Sequence, residues 1–183
     1  MALQDDLEQI AGAAARFVGS GEELAGILAA EPPRRGRAYL CAFRSAEGVT
    51  WLVLNDRGEP VTDREWVRQV VTLVALAELA EESAGGGELD ELRSRLVALR
   101  LTENPSGIDE AEEAVDALQR VLGGPPRLAT AEFLDDVGSA TKRLEATLGE
   151  SATSPFAEAM KQGAETVNAL TRDVETHYKA ELE

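Results

Sequence analysis

The sequence predicts a predominantly α-helical α+β protein in which one β-hairpin, at about residues 37–55, packs on a long helix at about residues 63–83. Apolar residues make up 44% of the 183 positions, but only eight residues are aromatic, and Ala and Leu supply much of the rest. This composition favours helix over sheet. Apolar residues recur at helical spacing along most of the chain, whereas β-branched and aromatic residues concentrate in one stretch.

The first element is predicted to be an amphipathic helix that ends before Gly19 and Gly21. Its apolar residues are spaced by four and three positions, which places them on one face. These residues are Leu3, Leu7, Ile10, Ala14 and Phe17. A short second helix is expected at residues 22–30. The Pro32-Pro33 pair then breaks the helix, because proline lacks the amide donor that a helix interior requires.

The hairpin and the long helix follow. Strands are predicted at residues 37–44 and 49–55, joined by Ser45-Ala46-Glu47-Gly48, with a turn at residues 55–58. The segment Thr62-Asp63-Arg64-Glu65 matches a capping box, in which Thr62 caps the helix and Glu65 reaches back to its amide. A two-stranded hairpin is marginal alone, so the long helix, or a second copy of the hairpin in a homodimer, is expected to cover it.

The remaining sequence predicts only helices. Two are expected at residues 88–100 and 108–122, and the Gly-Gly-Pro-Pro segment at residues 123–126 ends the second. We therefore predict an α+β part at residues 1–122 and a C-terminal antiparallel helical hairpin at residues 130–183. This hairpin is expected to pack on the first part rather than to fold independently.

The helical hairpin has an unbroken apolar stripe, and its second helix is predicted to run from residue 155 to residue 180. Small, uncharged residues flank the stripe, which favours a helix packed in a bundle over an exposed coiled coil. Gly163 within the stripe suggests close approach by a neighbouring backbone. The second helix overhangs the first by about two turns. The overhang carries Val174, His177 and Tyr178, and it either frays or docks on the N-terminal part or on a partner.

The net charge of -16 excludes several classes of partner. Residues 101–183 carry 17 acidic and 7 basic residues, which is -10 of the total. Such a surface repels phosphate backbones and anionic lipids, so we expect neither nucleic acid nor membrane as a partner. The N-terminal residues are acidic where a signal peptide is basic, and no apolar segment is long enough to cross a bilayer. A soluble, cytoplasmic protein is expected.

Few residues are suited to catalysis. Cys41 is the only cysteine and lies in an apolar alternating segment, so it predicts a small core residue in a reduced compartment. His177, the only histidine, is far from it in sequence, and no second histidine exists to complete a metal site. No nucleotide-binding loop is present. We expect no cofactor.

Paired carboxylates are the strongest sign of an enzyme. The pattern Glu78-x-x-Glu81-Glu82 with Glu113-x-x-Asp116 resembles the acidic motif of the MazG-like nucleotide pyrophosphohydrolases. The resemblance covers only these residues, and it implies Mg²⁺-dependent hydrolysis of a nucleotide by helix-borne carboxylates. A helical wheel places Glu113 opposite the apolar stripe of its helix and directs Glu81 towards the core. Glu78 and Glu81 are therefore the candidate metal ligands.

Two further groups of residues are candidate sites. Arg34, Arg35 and Arg37 form the only basic cluster in this acidic chain. They either bind an anion or an acidic partner helix, or form a solvated linker that offsets the acidic helices nearby. The other group is Trp51 and Trp66, which are candidates to line a small-ligand pocket between the hairpin and the helices.

These observations together predict a non-enzymatic protein-interaction or assembly module that acts through helical surfaces and self-associates or binds a protein partner. A metal-dependent phosphohydrolase-like enzyme of the acidic all-α kind is the first alternative. A small-ligand-binding protein is the second.

Overall fold

A computed structural model describes residues 3–85, 88–104, 106–122, 128–148 and 163–183, and these form a mixed α/β fold. The described residues contain six α-helices and one four-stranded sheet. The helices are α1 (Leu3–Ala14, continued by a 3-10 turn at Ala15–Phe17), α2 (Arg64–Gly85), α3 (Glu88–Thr102), α4 (Ile108–Leu122), α5 (Ala131–Leu148) and α6 (Gly163–Thr176); the strands are β1 (Glu23–Glu31), β2 (Ala38–Ser45), β3 (Gly48–Asn55) and β4 (Ala129–Thr130).

The sheet has the strand order β3-β2-β1-β4. Strands β2 and β3 form the predicted hairpin in continuous antiparallel register, from Ala38 opposite Asn55 to Ser45 opposite Gly48. The predicted turn at residues 55–58 is also present, because the amide of Gly58 donates to the carbonyl of Asn55 at 3.0 Å. Strand β4 lies parallel to β1 and pairs with only its last two residues.

Strand β1 corrects the helix predicted at residues 22–30. It pairs antiparallel with β2 over most of its length, with a shift in register between Leu24 and Gly26. The extra residue, Ala25, is a β-bulge, and it brings Leu24 and Ile27 onto the same face of the sheet. Apolar residues three positions apart are typical of a helix, so the bulge gives a strand the spacing of a helix.

Helix α2 begins one residue later than the capping box implies. The Oδ1 atom of Asp63 accepts hydrogen bonds from the amides of Glu65 (2.9 Å) and Trp66 (3.3 Å), so Asp63 caps the helix instead of Thr62. Arg35 donates to the other carboxylate oxygen of Asp63 at 2.7 Å. Arg35 and Asp63 are 28 positions apart in sequence, and their contact helps to fix the aspartate in the capping position.

The chain divides into two compact units that are discontinuous in sequence. Unit 1 comprises Met1–Ala75, Pro126–Ala131 and Glu165–Glu183, and unit 2 comprises Leu76–Pro125 and Glu132–Ala164. The predicted boundary at residues 123–126 lies outside the described residues, as do residues 149–162 of the helical hairpin. Each unit draws on both predicted parts of the chain. The division into residues 1–122 and 130–183, with the second part packed on the first, stays a prediction.

The core of unit 1 lies between α1 and one face of the sheet. It includes buried residues from α1 and from strands β1, β2 and β3: Ile10, Ala14, Ala29, Tyr39, Cys41, Phe43, Leu52 and Leu54. Helix α1 therefore covers this face of the sheet. Leu40 and Val53 are buried on the opposite face of the sheet. The packing of the hairpin on α2 stays a prediction.

The core of unit 2 is entirely helical. Its buried residues come from the end of α2 and from α3, α4 and α5: Ala80, Leu96, Ile108, Ala111, Ala114, Val115, Leu118, Val137, Ala140 and Leu144. Helix α4 contributes the most of these, at the spacing that the sequence predicted. Gly163 allows a close approach, but the atoms that an added Cβ would meet belong to the side chains of Leu76 (2.9 Å) and Leu79 (3.5 Å) rather than to a backbone.

Candidate functional site

The overhang predicted after Val174 is not a continued helix. Helix α6 ends at Thr176, and the next residues are extended and pair in parallel with β3 at Trp51. The amide of Trp51 donates to the carbonyl of His177, and the amide of Lys179 donates to the carbonyl of Trp51, both at 2.9 Å. The overhang therefore docks on the N-terminal part of the chain, within unit 1, which was one of the outcomes left open.

Tyr178 fastens this segment to the sheet. Its hydroxyl accepts a hydrogen bond from the amide of Val53 at 2.9 Å and donates to the carbonyl of Val61 at 2.7 Å. Burial raises the pKa of Tyr178 to about 12, since the phenolate would lose its hydration. Val174, one turn earlier, is fully buried. Both side chains are used within unit 1.

Charged contacts flank the same segment. Lys179 donates to the Oε2 atom of Glu22 at 2.5 Å and lies 4.7 Å from the ring centroid of Phe43. The hydrogen bond from Lys179 lowers the pKa of Glu22. The indole of Trp51 donates to Asp173 at 2.7 Å. His177 is exposed, with Nε2 at 3.9 Å from Asp173.

The basic cluster is divided among different contacts. Arg35 binds Asp63 and lies 5.8 Å from the ring centroid of Trp66. Arg37 donates to Asp6 of α1 at 2.7 Å, and Arg34 is exposed in a left-handed conformation with φ at 65°. Two of the three arginines therefore offset carboxylates at helix starts, which leaves Arg34 as the exposed cation.

Trp66 has an unusual polar environment. Its indole Nε1 is buried without a hydrogen-bond partner, and the same is true of the Oε1 atom of Gln69, three residues later on α2. An unpaired donor and an unpaired acceptor each carry a desolvation cost of roughly 1–3 kcal/mol. Trp51 makes its own contact with Asp173, so the two tryptophans are engaged separately.

The carboxylates that we considered as metal ligands do not form a metal site among the described residues. Glu78 is exposed and Glu81 is partly exposed, whereas Glu113 and Asp116 are exposed on α4. No group of three His, Cys, Asp or Glu side chains in the described part of the chain is placed to hold a metal ion.

Cys41 is fully buried, and burial raises its pKa to about 12. A nucleophilic cysteine reacts as the thiolate, which this environment disfavours at neutral pH.

Open grooves lined by described residues occur within each unit. One, of about 370 Å³, lies between α4 and α5 and has an apolar floor of Leu118, Val137 and Ala140 with Arg120 and Arg143 among its other lining residues. The second, of about 260 Å³, lies beside α1 and includes two arginines, Arg16 and Arg57. Neither contains a predicted site residue.

Among the described residues, the most exposed large apolar side chains lie on α3. Leu101 is 80% exposed and Val97, one turn earlier, is 50% exposed, whereas Leu96 on the opposite side of the helix is fully buried. Ser94 and Ala98 are exposed as well. These four residues follow the spacing i, i+3, i+4, i+7 and therefore share one face. We call Ser94, Val97, Ala98 and Leu101 the outer face of α3.

Ion pairs fix α3 on α4. Arg100 donates to both carboxylate oxygens of Glu112 at 3.0 Å and also binds Asp109. These two carboxylates raise the pKa of Arg100 further above its ordinary value. Arg93 binds Asp116 at 2.5 Å. Because the inner face and the flank of α3 are held in this way, the outer face points away from the core of unit 2.

Our sequence analysis did not identify the outer face. The sequence nevertheless contains a signal, since Val97 and Leu101 are apolar at positions opposite the Leu89, Leu92, Leu96 and Leu99 stripe. When a helix has apolar residues on two opposite sides, a single core can bury only one of them, and the other side stays exposed.

Comparisons with protein-family models, with curated proteins and with solved structures found no match to this chain. None of the described helices has both the length and the apolar character that a membrane span requires.

Proposed function

We propose that the protein is a non-enzymatic interaction module that binds another polypeptide through the outer face of α3. The observation that carries this proposal is the exposure of Leu101 and Val97, one turn apart on a helix whose other side is packed. Isolated exposed apolar residues are normal on protein surfaces, but an uncharged helical face two turns long is the kind of surface that a partner helix covers.

The rest of the fold supports this choice of surface. Val174 and Tyr178, which we expected to mediate interactions, are used inside unit 1, as are Arg35 and Arg37. The outer face of α3 is held in place by ion pairs with α4, so a partner would meet a preformed surface and lose less ordering entropy on binding. Hydrolysis of a nucleotide and binding of a small ligand stay predictions.

The test compares a double variant in the outer face, Val97→Ser with Leu101→Ser, against Leu28→Ser. Leu28 is a suitable control because it is also an exposed leucine, at 37%, but lies on β1 in unit 1. Each protein is immobilised and exposed to an extract of the cells that produce it, and retained polypeptides are quantified by mass spectrometry.

We expect at least one polypeptide to be retained by the unaltered protein and by Leu28→Ser, and to be depleted about tenfold or more by the double variant. Circular dichroism should show the same helix content in all three, since the replaced side chains are exposed. Equal retention by all three proteins would contradict the proposal.

A further inference from the structure

We infer that the partner at the outer face of α3 is a basic amphipathic helix; this inference rests on the proposed function. The outer face determines the shape of the partner, and the charges of α3 and α4 determine its chemistry.

The shape favours a helix. The four residues of the outer face extend over two turns, or about 10 Å along the axis of α3. Leu101 and Val97 are the apolar projections, and Ser94 and Ala98 are small, so another helix can approach closely beside them. An extended peptide binds best to the open edge of a sheet, and α3 has none.

The charges favour a cationic partner. The described residues of α3, α4 and the segment between them include nine acidic side chains but only four arginines. All four arginines already bind groups on these helices: Arg93 and Arg100 bind carboxylates of α4, Arg95 binds Glu91, and Arg120 donates to the carbonyl of Asp116. The four arginines are therefore engaged by groups of α3 and α4, and the acidic residues remain in excess.

The excess carboxylates include one in line with the outer face and one just beyond the C-terminal end of α3. Asp90 lies one turn before Ser94 on the same line of the helix, and Glu103 lies two residues after Leu101; both are exposed. No cation is paired with Asp90 or Glu103 within the described ranges, although the Gln119 amide donates to Asp90 at 3.4 Å. An apolar face with Asp90 in line with it, on a pair of helices that has an excess of carboxylates, matches a helix that has an apolar stripe flanked by Lys or Arg.

A second copy of this chain is a poorer match. Two copies that meet through the outer face would bring the acidic α3 and α4 of each close together. Unit 2 as a whole has 18 acidic and 7 basic residues, so such a dimer would oppose like charges.

The test measures the binding of labelled synthetic peptides by fluorescence anisotropy. The main probe is an amphipathic helix with Leu on one face and Lys on the other. A second peptide has Glu in place of Lys, and a third has the residues of the main probe in an order that gives no apolar face. The protein variants are the double serine variant of Val97 and Leu101, and Asp90→Lys with Glu103→Lys.

The matched control is Glu132→Lys with Asp135→Lys, which makes the same change in charge at exposed positions of α5. We expect the main probe to bind best, to weaken about tenfold or more with the double serine variant, and to weaken several-fold more with the α3 charge variant than with the α5 control. Added salt should reduce binding to the unaltered protein more than to the α3 charge variant.

Three results would overturn the inference: equal binding of the acidic or the reordered peptide, equal effects of the α3 and α5 charge variants, or unchanged binding by the double serine variant. A concentration-dependent dimer in sedimentation velocity, lost in the double serine variant, would replace the basic helix by a second copy but leave the proposed function standing. If neither the peptides nor the cell extract distinguish the double serine variant, the proposed function fails with the inference.

Discussion

The side-chain contacts described within units 1 and 2 differ in the sequence separation of the residues that they join. In unit 1, Trp51 binds Asp173 across 122 positions, and Lys179 binds Glu22 across 157. In unit 2, the ion pair of Arg93 with Asp116 joins residues only 23 positions apart. These hydrogen bonds of unit 1 therefore join distant segments that complete its sheet, whereas this ion pair of unit 2 joins two neighbouring helices.

This difference explains where an interaction surface can form. The outer edge of β3 would attract other strands if it were open, and the segment after α6 and residues 59–61 both pair with it. Helix α3 pairs its backbone groups within the helix except at its two ends, so an apolar face can remain exposed there with less danger of aggregation. The two units also differ in charge, at -5 for unit 1 and -11 for unit 2.

The largest expected difference between the units concerns two glycines. Gly58 has φ at 79°, and an added Cβ would lie 2.7 Å from the Cβ of Ala13. Gly58→Ala should lower the free energy of unfolding by about 3 kcal/mol, from backbone strain together with overpacking. Urea denaturation measures this.

The matched variant in unit 2 is Gly163→Ala. Gly163 is the first residue of the described α6, so the gain in helix propensity is below the roughly 1 kcal/mol of a helix interior, and the clash involves the flexible end of the Leu76 side chain. The change should therefore be within about 1 kcal/mol of zero. Equal losses in the two variants would contradict the view that unit 1 is the more tightly constrained.

Tyr178→Phe should have the next largest effect. It removes the donor to Val61 and the acceptor for Val53 but keeps the ring. The expected loss is about 2–3 kcal/mol, because two backbone groups in a partly buried setting lose their partner. Hydrogen exchange should be accelerated, relative to the unaltered protein, more for the amides of β3 than for those of α4. Uniform acceleration in both units would show that they unfold together.

Alkaline pH should weaken unit 1 selectively. Cys41 and Tyr178 have folded-state pKa values near 12, above their ordinary values of 9.0 and 10.0. Their stabilising contribution is complete below pH 9 and is lost as the pH rises towards 12, by about 1.4 kcal/mol per pH unit for each group. Between pH 9 and 10.5 the thiol alone should remove about 2 kcal/mol.

Unit 2 contains neither Cys nor Tyr, so its exchange rates, corrected for intrinsic chemistry, provide the control. Cys41→Ala should flatten the first part of the pH dependence. An unchanged slope in that variant would show that another group causes the loss.

The smallest expected effect is a gain. Gln69→Leu removes the buried acceptor that lacks a partner and should raise the free energy of unfolding by about 1 kcal/mol. Gln69→Glu, which places a charge there, should lower it. A loss of stability with Gln69→Leu would show that Oε1 has a partner in solution, such as a bound water.

The sequence predicted the elements whose signals are local. The β2–β3 hairpin and helices α2 to α5 follow from turn residues, helix breaks and apolar spacing. Strand β1 was missed because its bulge at Ala25 spaces Leu24 and Ile27 as a helix would. The end of α6 was missed for another reason: the pairing of residues 177–179 with Trp51 has no counterpart in their own sequence.

Candidate sites were harder to predict than elements. For the segment with Val174 and Tyr178, the sequence left fraying and docking open, because apolar spacing does not reveal whether a docking surface exists or belongs to the same chain. Arg35 and Arg37 bind Asp63 and Asp6, and these pairings arise only once the fold brings distant residues together. The outer face of α3 could have been found by asking which apolar residues its core could not accommodate.

The hydrogen bond between Tyr178 and Val61 can form only late in the synthesis of the chain. Val61 precedes Tyr178 by 117 residues, so at 5–20 residues per second a ribosome needs roughly 6 to 24 s between them. During that interval α3 and α4 are already made and their arginines can pair, whereas β3 still waits for its neighbour. A growing chain thus contains a completed pair of helices, α3 and α4, while its sheet is still incomplete. During those seconds the outer edge of β3 is most vulnerable to pairing with another chain.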